Sequence, residues 1–287
     1  MNVEKFIEKQ LGGEPVCAYV YDLGKLRNHA ESLKKSLPSF CRLYYAVKAN
    51  PDGRLLQTLA STVDGFEVAS EGEMEKVPLN RPMLFGAPAK KDREIAAAID
   101  RGVEAINVES LHDLNRIALT AEKKQVEVPV LIRVNLSSDV PESHHMMSGV
   151  PTQFGVDERD LPQVMEKILD TSWISVEGFH FHAMSNNLDA RAHVRFVELC
   201  LEKAKIWRDR YELSVSTVDI GGGIGINYWQ PDDAFDWGIL AYGLHSLEAQ
   251  MEGLTLVLEI GRYMTAACGS YVTEVVDVKK IMTRLLH

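Results

Sequence analysis

Short apolar runs alternate with helical segments along nearly the whole chain, in a regular beat. The runs at 41–49, 65–70, 83–88, 105–110, 129–135, 176–182, 217–221 and 255–260 read as strands. Helix candidates lie between them near 53–62, 71–77, 91–102, 110–124, 157–170, 189–211 and 235–252, and a first helix at about 22–36 precedes the first strand. Eight strands alternating with helices in a chain of 287 residues predict an α/β fold, a (β/α)8 TIM barrel. An open doubly wound sheet shares the alternation. The even spacing, and polar residues at nearly every strand's C-terminal end, favour the barrel.

Two segments fall outside this beat. Val16 to Tyr21 reads as an extra strand before the first helix, and Ser270 to Lys279 is a strongly alternating β run after the eighth strand. That run looks like the opening of a second, β-rich domain, yet the sequence stops at His287. A long strand without a partner is an edge that proteins normally cover. The expected division is a barrel over 22–268, with 1–21 and 269–287 as remnants of a truncated C-terminal β domain.

Composition narrows the function classes. Hydrophobic residues make up 46% and charged residues 25%, as in ordinary globular proteins. No apolar run approaches the roughly 20 residues of a membrane span, and the start, MNVEKFIEKQ, has no signal-peptide core. The net charge of -10 argues against nucleic-acid or anionic-membrane partners and for a cytoplasmic protein. Cys17, Cys41, Cys200 and Cys268 are scattered without CxxC spacing, so buried reduced thiols are expected rather than disulfides or zinc ligands.

In barrels the active site gathers at the C-terminal strand ends. The first strand there carries Lys48, in the run Arg42 to Pro51, with Leu43, Tyr45 and Val47 on one face and Tyr44, Ala46 and Lys48 on the other. Burial at such a position should lower the lysine's pKa, and a partly neutral amine is what Schiff-base chemistry needs. Taken alone, Lys48 reads as a strand-end lysine reaching for water; the other strand ends change that. The second strand supplies Glu67 and, on the next turn, Glu73; the fifth ends in Arg133 and Asn135. The sixth puts His180 and His182 on one face, with Ser185 beyond. The seventh runs into Gly221, Gly222 and Gly223, a turn whose N–H groups can approach a phosphate. The eighth ends in Glu259, Gly261 and Arg262: a carboxylate for a ring nitrogen, and a guanidinium for the same phosphate. A buried structural Glu–Arg pair is the plainer reading of those last two. A lysine, a flat imidazole, a phosphate cradle and a carboxylate are together the needs of pyridoxal 5'-phosphate.

With those residues in order, the chain resembles the fold-type III pyridoxal-phosphate decarboxylases, which include diaminopimelate, ornithine and carboxynorspermidine decarboxylases. The likeness covers about residues 15–280 and rests on AVKAN, GFEVASEGE, RVN followed by FG, FHAMS with DIGGGIG, and EIGR. PTQFG, GFHFHAMSNNLD and GGGIGINY carry a narrower likeness to decarboxylases of carboxylate siderophore assembly. The resemblance implies an alanine-racemase-like barrel followed by a β domain, a small amino-acid-bearing substrate and a homodimer. It implies Lys48 as the Schiff-base lysine, His182 stacked on the cofactor ring and Glu67 beside it. Ser185, Gly221 to Gly223, Gly261 and Arg262 would hold the phosphate, and Glu259 the pyridine nitrogen. Arg133 and Glu73, read from the strand ends, are the substrate-contact candidates. Two departures stand out. Ile260 replaces the usual proline of the last motif, and the family's C-terminal domain, with its catalytic cysteine, has no counterpart among the four cysteines here.

Three other readings compete. An amino-acid racemase shares the barrel and the lysine motif, but here that motif runs on as PDGRL, and the ring-nitrogen partner is acidic. A single-domain pyridoxal-phosphate carrier suits the length but not the trailing strand. A metal-dependent hydrolase would use His180, His182 and Asp219, yet lacks the later inward histidines; no metal is expected.

Overall fold

The computed structural model describes residues 3–10, 13–137, 140, 145–146, 148–281 and 284–286. Eight parallel strands form the barrel: Cys41–Ala46, Gly65–Val68, Met83–Phe85, Ala105–Val108, Val128–Asn135, Ile174–His180, Thr217–Asp219 and Thr255–Ile260. Each bonds to the next, and the eighth closes on the first, with Leu256 opposite Cys41 and Ile260 opposite Tyr45.

Most strands end two or three residues before the sequence suggested, because the chain turns at the C-terminal mouth and bonds locally instead. Thus Val47–Ala49 is a single 3-10 turn closed by Asn50 N–H on the Val47 carbonyl at 3.1 Å, and Lys48 sits on that turn, not on the strand. The helices also shorten. The stretch 53–62 becomes Gly53–Leu59, 71–77 becomes Glu71–Met74, and 235–252 becomes Trp237–Ser246 with a separate turn at Glu248–Gln250. Their starts are set by side-chain caps: Asp22, Asp52, Ser70, Ser110, Asp189 and Asp236 each accept a backbone N–H two or three residues on. Such a cap contributes about 1 kcal/mol.

Strand alternation divides the interior into layers. Outward residues such as Leu43, Tyr45, Phe66, Phe85, Phe179 and Leu258 join the helices in one large core. Inward, Tyr44, Leu84, Ala105, Leu131 and Val257 make a separate apolar plug near the N-terminal end. Below it, the Tyr44 hydroxyl donates to Glu104, which also pairs with Arg42. Gly65 has to be glycine, because a Cβ there would lie 2.3 Å from the Tyr44 ring. Above the plug the inward positions turn polar: Glu67, Asn107, Arg133, His180, Asp219 and Glu259 are all buried.

The flanking segments differ from expectation. Cys17–Tyr21 pairs antiparallel with Gly269–Thr273, Cys17 opposite Thr273 and Tyr21 opposite Gly269. The run 270–279 is therefore not one unpaired strand: its first part is already partnered, and Lys279–Ile281 pairs with Arg284–Leu286. Val3–Gln10 is a helix, and its Phe6, Ile7 and Gln10 share a hollow with Val16, next to the ribbon, and Val272 within it. The apolar pairing of distant segments, not local alternation, decides these ends. Cys41, Cys200 and Cys268 are buried as expected, while Cys17 is exposed. No helix among the described residues is long and apolar enough to cross a membrane.

Candidate active site

A cavity of about 250 Å³ opens at the C-terminal mouth, with Lys48, His182, Ser185, Glu259, Gly261 and Arg262 in its wall. It draws on the ends of the first, sixth and eighth strands and on the glycine turn after the seventh, represented by Gly223. Parallel strand ends converge there by geometry, so residues far apart in sequence meet in one wall.

Lys48 reaches in from its turn, and its Nζ donates to Glu67 Oε2 at 2.8 Å. The lowered lysine pKa expected from burial does not hold. Desolvation does pull it down, but Glu67 and Glu259 facing the ammonium, with the Glu67 hydrogen bond, outweigh it and leave the pKa raised. Half of the Lys48 side chain is exposed against 4% of Glu67, so the pair is anchored from the acidic side. Burial raises the Glu67 pKa, with Lys48 opposing.

The two histidines point inward as the period of two requires. Gly222 N–H approaches His182 Nδ1 at 3.4 Å, so the ring proton sits on Nε2, and burial pushes the His182 pKa down to about 3. His180 is no passive core residue. The Asn107 amide donates to its Nδ1 at 2.9 Å, and burial holds its pKa well below the usual range. His180 Nε2 and His182 Nδ1 each lie 3.7 Å from Glu259 Oε2.

The glycine turn is built from close approaches. Gly221 and Gly223 have φ of 66° and 84°, and a Cβ on Gly222 would stand 2.1 Å from the Glu259 carbonyl oxygen. Arg262 does not pair with Glu259. Its Nη1 donates at 2.9 Å to Asn186 Oδ1, which also receives the Ile226 N–H at 3.3 Å. Asn186, absent from the sequence-based candidates, so ties the loop beyond Ser185 to the glycine turn and to Arg262.

Arg133 and Glu73 lie outside the cavity wall. Arg133 pairs with Glu109 Oε1 at 2.7 Å and sits 4.6 Å from the centre of the Phe154 ring, while Glu109 Oε2 accepts the Gly155 N–H at 2.8 Å. Glu109 and the Phe154 ring thus join Arg133 of RVN to the FG that follows. Glu73 accepts the Ala69 N–H at 2.8 Å while Ser70 Oγ receives the Glu73 N–H, a reciprocal cap on the turn after the second strand. Sequence reasoning missed Asn107, on the strand Ala105–Val108, and Glu109 just past its end, although both are polar at alternate positions of an otherwise apolar run. Lys90, fully buried on Asp113 at 2.6 Å, carried no periodic signal.

A pyridine ring with a phosphate and an aldehyde fits this donor set. A carboxylate lines the cavity, an amine stands beside it, and a guanidinium and a glycine turn too tight for any Cβ complete the wall. The donor atoms of His180, His182 and Glu259 also lie within 4.8 Å of one another, a spacing a metal would accept; the relatives decide between these guests. Residues 23–266 match the pyridoxal binding domain of pyridoxal-dependent decarboxylases, and the chain belongs to that family. It is a pyridoxal-phosphate-dependent decarboxylase, which sets aside the racemase, carrier and hydrolase alternatives.

Among its relatives is 2-[(L-alanin-3-ylcarbamoyl)methyl]-2-hydroxybutanedioate decarboxylase of Staphylococcus aureus, 42% identical over 98% of this chain and 72% of that protein. The L-glutamyl-[BtrI acyl-carrier protein] decarboxylase of Niallia circulans is 28% identical over 90% of this chain, which spans 62% of its length. The crystal structure of Helicobacter pylori diaminopimelate decarboxylase complexed with L-lysine superposes with a TM-score of 0.84 at 25% identity, covering 97% of this chain and 71% of that one.

Proposed function

We propose that this chain decarboxylates an amino acid carried on a larger, carboxylate-rich molecule of the kind used in siderophore assembly, with Lys48 as the Schiff-base lysine. The observation that carries the site assignment is the meeting, in one cavity, of Lys48, the Glu259 carboxylate and the glycine turn with Arg262. The substrate class rests on the 42% identity to the Staphylococcus aureus enzyme, whose substrate joins an alanyl group to a hydroxybutanedioate.

Pyridoxal phosphate, when bound, supplies a sink for the electron pair left as the α-carboxylate departs. Lys48 Nζ must shed a proton before it can act as a nucleophile, and Glu67 Oε2 at 2.8 Å is positioned to take it. His182, kept neutral by burial, offers a flat, uncharged face to the ring. Glu259 would accept a hydrogen bond at the pyridine nitrogen, while Ser185, Gly221 to Gly223, Gly261 and Arg262 would hold the phosphate. Arg133 acts through Glu109 and Gly155 on the shape of the wall, and Glu73 holds the turn that follows the strand carrying Glu67.

A homodimer accords with the exposed aromatic rings of Tyr19, Tyr228 and Tyr271 around a second hollow beside Lys48. A cytoplasmic location accords with four unpaired cysteines. Borohydride treatment of the cofactor-loaded protein, followed by peptide mass analysis, tests the reading. The cofactor mass should appear on the Lys48 peptide, and a label on any other lysine would overturn the assignment.

A further inference from the structure

Two buried carboxyl oxygens on adjoining strands have no hydrogen-bond partner among the described residues. Asp219, which ends the seventh strand, is fully buried. Its Oδ1 accepts the Gly221 N–H at 2.8 Å, and its Oδ2 has no hydrogen bond among the described residues. Glu259, on the adjoining eighth strand, is buried as well, and its Oε1 likewise has no partner among them. An ionised carboxylate oxygen in such a place, with neither donor nor cation, is strongly disfavoured, and two neighbouring carboxylates cannot both stay charged.

We propose that Asp219 is protonated in the folded protein and donates from Oδ2 to Oε1 of Glu259, acting as the positioning residue that keeps Glu259 an anion turned toward the cavity. One shared proton satisfies both orphaned oxygens at once. The proposal rests on the assignment of Glu259 to the ring nitrogen.

The surroundings decide which acid keeps the proton. Burial raises the Glu259 pKa, but Lys48 and Arg133 oppose that rise by favouring its charge, and its Oε2 lies near both histidines. Asp219 has no ion pair among the described residues; burial, then the Glu259 charge, drive its pKa well above the carboxylate range, with Glu67 adding to the rise. His180 turns a neutral N–H toward the same carboxylate, too far to bond to it. Because Asn107 donates to Nδ1, the proton of His180 lies on Nε2, the atom 3.7 Å from Glu259 Oε2. Asp219 as donor and His180 as a neutral neighbour, its tautomer fixed by Asn107, thus surround one buried carboxylate with uncharged groups, so that it would accept a hydrogen bond from a protonated ring nitrogen without taking the proton itself.

Asp219→Asn separates a donor from an anion. The amide keeps both bonds, with Oδ1 on Gly221 N–H and Nδ2 donating to Glu259 Oε1, whereas Asp219→Ala keeps neither. Infrared difference spectra of the protein without added cofactor should show, at neutral pH, a protonated-carboxyl stretch that Asp219→Asn abolishes. With cofactor, Asp219→Asn should decarboxylate within about threefold of the parent, the scale of one altered neutral hydrogen bond. Asp219→Ala should lose at least about tenfold and shift the pH at which the cofactor's visible band changes. Absence of the carboxyl stretch, or an Asp219→Asn variant as damaged as Asp219→Ala, overturns the proposal. A protein showing the stretch but taking up no pyridoxal phosphate would leave the shared proton standing and remove its role, along with the assignment of Glu259.

Discussion

Adding one methyl group at Gly222 tests the architecture of the cavity directly. Gly222 is not among the residues of positive φ, so alanine meets no backbone strain there and the whole effect is contact. A Cβ would lie 2.1 Å from the Glu259 carbonyl oxygen, whereas ordinary contact begins near 3.4 Å, so the turn and the eighth strand must part by about 1.3 Å (3.4 − 2.1). The clash is with backbone, which no rotamer relieves. Overpacking of this kind costs about 1–3 kcal/mol. Parting the strands also endangers the bond from Glu259 N–H to the Gly221 carbonyl, 2.8 Å long. Losing it adds about 0.5–1.5 kcal/mol. Gly222→Ala should therefore be less stable by about 1.5–4.5 kcal/mol in urea unfolding, the sum of those two ranges. A shift near 1 Å in Glu259 should cost about a hundredfold in decarboxylation. Gly72→Ala is the control: it lies exposed in the helix Glu71–Met74 with nothing within 4 Å of its Cβ, and should stabilise by about 0.5–1 kcal/mol. A Gly222→Ala variant with parental stability and activity would refute the close approach and the cradle built on it.

Glu259→Gln should retain the cofactor but decarboxylate slowly, whereas Arg262→Ala should weaken cofactor binding by about 1.5–3 kcal/mol; equilibrium dialysis and turnover assays giving the reverse pattern would exchange the two roles. Because Glu67 raises the Lys48 pKa, Glu67→Gln should lower it and move cofactor uptake to lower pH; an unchanged profile of uptake rate against pH would remove Glu67 as its partner. His193, buried with its pKa pushed down from 6.5 to about 4, binds a proton in the unfolded chain before it does in the fold. Its contribution is complete above pH 6.5 and is lost as the pH falls toward 4, about 3 kcal/mol in all. His193→Phe, among the Phe196 and Phe235 rings, should flatten that acid limb in urea titrations at stepped pH, and an equally steep limb would contradict the assignment.

Local pattern determined a good deal about this protein. The period of two sorted Leu43, Tyr45 and Val47 from Tyr44 and Ala46; the first set joins the core beneath the helices, Tyr44 lies in the interior plug and Ala46 in the cavity wall. The order of Lys48, Glu67, His182, the glycine turn and Glu259 along successive strand ends made the family legible, because a closed barrel brings those ends together whatever lies between them. Tertiary structure alone decided what each group feels. Lys48 was expected to lose charge by burial, and instead Glu67 and Glu259 from two other strands hold it charged. The ribbon joining Cys17–Tyr21 to Gly269–Thr273 is invisible to any local window, since each segment alone looks like an unpaired strand. Arg133 and Asp219 were legible as residues, but their partners, Glu109 and the Gly221 N–H, come from other strands or from the turn and were not. Periodicity records which way a side chain points. Its partner, its protonation and the cost of its burial depend on charges and donors that only closure of the barrel brings within a few ångströms.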